Sequence, residues 1–66
     1  MKNKVREERL YLEWTQEELA SKVSVSRQTI FAIETGKYIP TTVLALKIAK
    51  AFKKNVEEIF ILERAD

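Results

Sequence analysis

The chain has no cysteine, so neither disulfides nor thiolate metal sites can hold it together. Histidine is absent too, which removes the commonest metal ligand and the usual general base near neutral pH. There is one glycine and one proline, leaving few places where a helix is forced to stop. Long apolar runs are missing; Ile59-Phe60-Ile61-Leu62 reaches only four residues, far short of a bilayer span. Met1-Lys2-Asn3-Lys4 leads into no signal-peptide core, so a cytoplasmic chain with no membrane association is expected. Catalysis finds little support. The hydroxyls have no histidine to activate them and no glycine-rich loop is present. The glutamates of each adjacent pair (Glu7-Glu8, Glu17-Glu18, Glu57-Glu58) diverge by about 100° on a helix instead of converging. No enzyme activity, metal or cofactor is expected.

What remains is 66 residues, 45% hydrophobic and 33% charged. Those figures describe one small, helix-rich, folded domain over residues 1–66. Its core can supply only ~3–5 kcal/mol of stability. The net charge of +2 is unevenly spread. Residues 19–55 carry seven cations against the single anion Glu34, while both flanking segments are net acidic. A basic centre between acidic ends draws a polyanion to one part of the surface. For Lys47, Lys50, Lys53 and Lys54 a solvated helix face is an equal reading.

Five short helices can be read, an all-α pattern. The first runs from about Lys4 to Glu13, with Val5, Leu12 and either Leu10 or Tyr11 facing inward. Thr15 and Glu18 form a capping box for the second, and Trp14 and Leu19 flank it as a hydrophobic staple. Its inner stripe is Leu19, Ala20 and Val23. Ser26 caps the third helix, with Val25 and Ile30 as a second staple. Ile30 and Ile33 face inward, and Gly36 ends the helix where a left-handed residue is wanted. Thr41 or Thr42 caps the fourth, whose stripe of Leu44, Ile48, Ala49 and Phe52 is broadened by Val43, Ala45 and Leu46, until Asn55 breaks it. Val56–Phe60 is a last helical turn with acids where the dipole favours them. After Phe60 an extended segment is expected to pair with residues 2–5 as a small strand pair.

Counting from Gln16 as position one, Leu19 is apolar at four, Ala20 small at five and Val23 apolar at eight. A tight turn falls at nine, Val25 is apolar at ten, and Ile30 and Ile33 at fifteen and eighteen. The small residue lets two helices cross closely and the apolar ones fill the wedge between them. This is the spacing of a helix-turn-helix unit, here over residues 16–35, whose second helix enters the major groove of DNA.

The stretches Trp14–Ala20, Val25–Ile30, Ile33–Lys37 and Ala45–Ala49 resemble the phage-repressor/Cro-like (XRE-type) helix-turn-helix regulators over roughly residues 3–60. The likeness is to small stand-alone members. It implies a lambda repressor-like five-helix domain, sequence-specific binding of double-stranded DNA as a homodimeric prokaryotic regulator, and repression as the commoner outcome. Ser24 stands where the family usually has glycine, Glu8 where many members have an apolar residue, and Thr42 where leucine is common.

On a helical wheel, Gln28, Phe31, Ala32 and Thr35 lie on the outer side of the third helix (residues 27–35), with Arg27 at its edge. Glutamine can take both edge atoms of adenine and arginine both acceptors of guanine. Gln28 and Arg27 are therefore expected on bases, although a phosphate contact or free solvation is nearly as good for Arg27. Phe31 either meets a thymine methyl or packs on Tyr38, and Ala32 completes the base-reading set. Gln16, Ser26, Thr29, Thr35, Lys37 and Tyr38 are the expected phosphate contacts. The resemblance supplies the role of Gln16, and it implies a structural ion pair between Arg9 and Glu34. Four apolar residues in a row, Ile59, Phe60, Ile61 and Leu62, cannot all turn inward, and a dimer interface within segment 56–64 is expected. Two such subunits read a near-palindrome. No small-molecule effector is evident. The rival reading is an antitoxin-type protein-binding module that also binds its own operator; the absence of a long tail after Phe60 weighs against it.

Overall fold

The second, third and fourth helices each open on a hydroxyl cap. In the computed structural model, which describes residues 1–66, α1 spans Val5–Tyr11, α2 Gln16–Lys22, α3 Arg27–Glu34, α4 Thr42–Phe52 and α5 Val56–Ile59. Two short strands, β1 (Lys2–Asn3) and β2 (Phe60–Ile61), flank the bundle and pair antiparallel, Lys2 opposite Ile61 and Asn3 opposite Phe60. Thr15 accepts from the Glu18 N–H at 3.0 Å while the Glu18 carboxylate accepts from the Thr15 N–H at 2.8 Å. The Thr15 N–H foremost, and after it the Thr15 hydroxyl, hold the Glu18 carboxyl below its usual range. Ser26 caps α3 through the Thr29 N–H and Thr41 caps α4 through the Leu44 N–H.

The core is one cluster running through every helix. Val5, Leu19, Ile30, Ile33, Ile48 and Ile59 are wholly buried in it, beside Ala20, Val23, Leu44, Ala49, Phe52 and Phe60. Ala20 is small, which lets α2 approach α3 closely. Trp14 lies over the cluster's edge, its ring stacked on Phe52 with centroids 5.7 Å apart and the Lys22 ammonium over the ring, 4.6 Å from its centre. No helix is long and apolar enough to cross a membrane.

Several sequence expectations need correction. Leu10, Tyr11 and Leu12 all face solvent, Tyr11 at 83% exposure. The inward residues of α1 are Val5 and Arg9, one turn apart, because Arg9 finds a buried carboxylate and the apolar trio does not reach the core. Val43 and Leu46 likewise point outward. Helix α4 ends at Phe52, since Lys53 turns left-handed at φ 57°; Asn55 opens α5 instead, its N–H bonded to the Glu58 carboxylate. Ile59 and Phe60, expected at a dimer interface, belong to the monomer core at 0% and 8% exposure.

Ser24 occupies the tight turn at φ 61°. A residue with a Cβ pays about 1 kcal/mol there relative to glycine. Ser24→Gly should therefore stabilise the domain by roughly 0.5–1 kcal/mol, raising its melting midpoint by about 2–8 °C. A thermal scan by circular dichroism measures it, and a lowered midpoint would contradict the turn strain.

Candidate nucleic-acid interface

The recognition surface follows from how α2 and α3 wedge together. With Ile30 and Ile33 turned into the core, the opposite side of α3 is left to solvent. Arg27, Gln28 and Phe31 line a shallow open cleft of about 230 Å³ on that side. Arg27 and Gln28 are exposed and Phe31 is 49% exposed. Ala32, of the same base-reading set, is half-buried. Phe31 carries no stacked aromatic neighbour; the stacked pair of the fold is Trp14 with Phe52.

Around this cleft the expected phosphate contacts divide into two groups. Lys37 and Tyr38 are exposed just beyond the left-handed Gly36 (φ 78°), which swings the chain out of α3. Their free donors face outward with nothing on the protein to satisfy them. Ser26, Thr29 and Thr35 are already occupied. Ser26 Oγ accepts from the Thr29 N–H at 3.2 Å and lies 3.0 Å from Thr29 Oγ1. Thr35 Oγ1 donates back to the Phe31 carbonyl at 2.9 Å. Each hydroxyl can still accept or share a bond, so a phosphate would extend these contacts and need not break them.

Behind the surface stands a buried polar network. Arg9 Nε and Nη2 donate to the two Glu34 carboxylate oxygens at 2.7 and 3.1 Å, and Nη1 donates to the Trp14 carbonyl at 2.8 Å. The Glu34 side chain is only 2% exposed. Its bonds raise the Arg9 guanidinium above its ordinary value. Gln16 Nε2 donates to the same carboxylate at 3.2 Å. The start of α2 is thereby tied to the end of α3 and to α1. Gln16, expected on a phosphate, has one amide hydrogen committed to this network and offers its carbonyl, its other amide hydrogen and its backbone N–H.

The sign of the field agrees. Lys22, Arg27, Lys37, Lys47, Lys50 and Lys53 take part in no ion pair, whereas Arg9, Lys54 and the terminal amine each meet a carboxylate. Lys54 reaches Glu8 on α1 at 3.0 Å, so Glu8 clamps α1 to the turn that follows α4. Sequence reasoning missed that clamp. It also missed Asn3, whose side chain donates to the Ile33 carbonyl at 3.0 Å and accepts from the Val5 N–H. No local pattern announces either contact.

Comparison with known proteins places these features in a family context. A helix-turn-helix family model matches residues 5–59. The chain is 52% identical to the helix-turn-helix-type transcriptional regulator YgzD of Bacillus subtilis over 63 residues, 96% of each chain. It is 57% identical, over 96% of each chain, to a helix-turn-helix-type transcriptional regulator of Methanocaldococcus jannaschii. Among solved structures, the restriction-modification controller protein C.AhdI from Aeromonas hydrophila is similar, with a TM-score of 0.81, 30% identity and 86% of each chain covered.

Proposed function

We propose that this chain, which belongs to the Cro/C1-type helix-turn-helix family of DNA-binding transcriptional regulators, reads a near-palindromic operator as a homodimer and represses by occupying it. The family acts by binding, not catalysis. The observation that carries the reading is the cleft of Arg27, Gln28 and Phe31 on an exposed helix face, braced from behind by the Arg9–Glu34–Gln16 network. Arg27, Gln28, Phe31 and Ala32 meet base edges in the major groove, with Phe31 suited to a thymine methyl. Lys37 and Tyr38 take phosphates on one flank and Gln16 on the other, with Ser26, Thr29 and Thr35 between them.

Dimerisation rests on what the core leaves uncovered. Ile61 and Leu62 are 38% and 78% exposed. Phe60, the β2 residue before them, lines an apolar groove with Ile39, Pro40, Leu46 and Val56. A second copy related by a two-fold axis would cover this face and set two α3 helices about 34 Å apart, one turn of duplex. Repression by occlusion requires only that occupancy, in the cytoplasm where prokaryotic DNA lies.

Selection of bound sequences from a random duplex pool tests the whole reading. A recovered inverted repeat with half-sites one helical turn apart is the expected result; enrichment of nothing would end it. Sedimentation at micromolar concentration checks the assembly. Leu46→Asp, on the outer face of α4, should turn a dimer into folded monomers and weaken operator binding at least tenfold, whereas a wild-type monomer would contradict the dimer.

A further inference from the structure

We propose that the cleft between the end of α2 and the outer side of α4 is a second phosphate-binding surface, taking the backbone of duplex DNA that flanks the operator. This rests on the DNA-binding reading above and extends it to residues no base-reading argument requires. The cleft, about 560 Å³ and open to solvent, is lined by Lys22, Lys47, Lys50 and Lys53 around Trp14 and Ser24, with no acidic residue in its lining. None of the four lysines is ion-paired. Lys47 and Lys50 lie three residues apart on one side of α4, Lys53 joins them from the left-handed turn that ends the helix, and their like charges repel one another. A polyanion relieves that repulsion where the fold itself does not.

The chemistry favours paired strands over exposed bases. Trp14 is the aromatic ring in the cleft, and it is already engaged, stacked on Phe52 and covered by the Lys22 ammonium. It offers no platform for an unstacked base. What the cleft presents is positive charge on flexible stems, suited to phosphate oxygens. Its position fits a flank. Ser24 and Lys47 also line the adjoining groove that contains Thr29 and Tyr38, two of the residues assigned to operator phosphates. The two grooves thus meet at Ser24 and Lys47, and a duplex bent toward α4 would pass from one to the other.

The test uses the full chain and two duplexes carrying the same selected operator, one ending at its edges and one extended by about a helical turn on each side. Anisotropy titrations across a salt series give affinity and slope. Wild type should bind the extended duplex more tightly and with the steeper salt dependence. Lys50→Gln/Lys53→Gln should reduce the slope on the extended duplex by about 2, one counterion per lost contact, and leave the short duplex unchanged. Both lysines are exposed, and circular dichroism verifies folding; if the variant does not fold, the wild-type comparison of the two duplexes still decides. Equal wild-type affinity for both duplexes, an equal loss on both in the variant, or displacement of the extended duplex by poly-glutamate at matched charge would overturn the inference. Failure to bind either duplex would instead overturn the DNA-binding reading beneath it.

Discussion

Replacing Glu34 by alanine should leave most of the protein unfolded at room temperature. The Glu34 carboxylate accepts from Arg9 twice and from Gln16 once, with its side chain almost wholly enclosed. Removing it strands the guanidinium of Arg9, a residue 7% exposed, with one bond to the Trp14 carbonyl and no counter-charge. Breaking a buried pair on one side costs about 3–5 kcal/mol. A core of this size supplies ~3–5 kcal/mol in all, so little or nothing remains. Urea melts followed by circular dichroism should show the native baseline lost or sharply shortened. The double replacement Arg9→Met/Glu34→Leu separates two explanations. If the penalty is the stranded charge, filling both positions with apolar groups recovers most of the loss, because the net worth of a buried pair is small. If the pair has a large net value of its own, the double variant stays unfolded. A Glu34→Ala protein as stable as wild type would mean that α1 and α3 do not depend on this strut.

The same residue marks where sequence reasoning stops. Hydrophobic periodicity assigns the inside of a helix to its apolar residues, and on α1 that rule chose Leu12 with either Leu10 or Tyr11, while the Arg9–Glu34 pair found here was expected only from the family resemblance. The inward position belongs to the charged residue because its partner lies 25 positions away, a distance no local window spans. By contrast, caps act within four residues, and Thr15, Ser26 and Thr41 were legible for that reason. Helix ends were less so. Gly36 announces its left-handed turn, but Glu13, Ser24 and Lys53 adopt the same conformation without a residue type that signals it. The outward side of α3 was readable from the wheel once Ile30 and Ile33 were placed inside. Neither the Gln16–Glu34 bond nor the gathering of Lys22 with Lys47, Lys50 and Lys53 was, since both are made by the crossing of helices. The run Ile59–Leu62 was assigned as a whole to a dimer interface, and the expected change from helix to a strand paired with the N-terminal residues falls within it. That change sends Ile59 and Phe60 into the core and leaves Leu62 outside.

Gln28→Ala should cost about 5- to 150-fold in operator affinity and almost nothing on random duplex. The side chain is exposed in the cleft beside Arg27 and Phe31, with no hydrogen bond to the rest of the protein to be lost, so the fold should be unaffected. A bidentate glutamine–adenine contact contributes about 1–3 kcal/mol of discrimination, which converts to that range at 1.4 kcal/mol per tenfold. Non-specific binding comes from phosphates, and Gln28 is not assigned to one. That range is per contact; where both half-sites carry the base, two subunits double the free-energy cost and so square the factor. Lys37→Gln is the matched contrast: an exposed cation beyond α3, whose loss should weaken operator and random duplex alike and flatten the salt slope by about 1. Titrating both variants against both duplexes gives four numbers with opposed patterns. Should Gln28→Ala lower both affinities by the same factor, the residue is a general contact, and base reading must be reassigned to Arg27 and its neighbours on the same helix face.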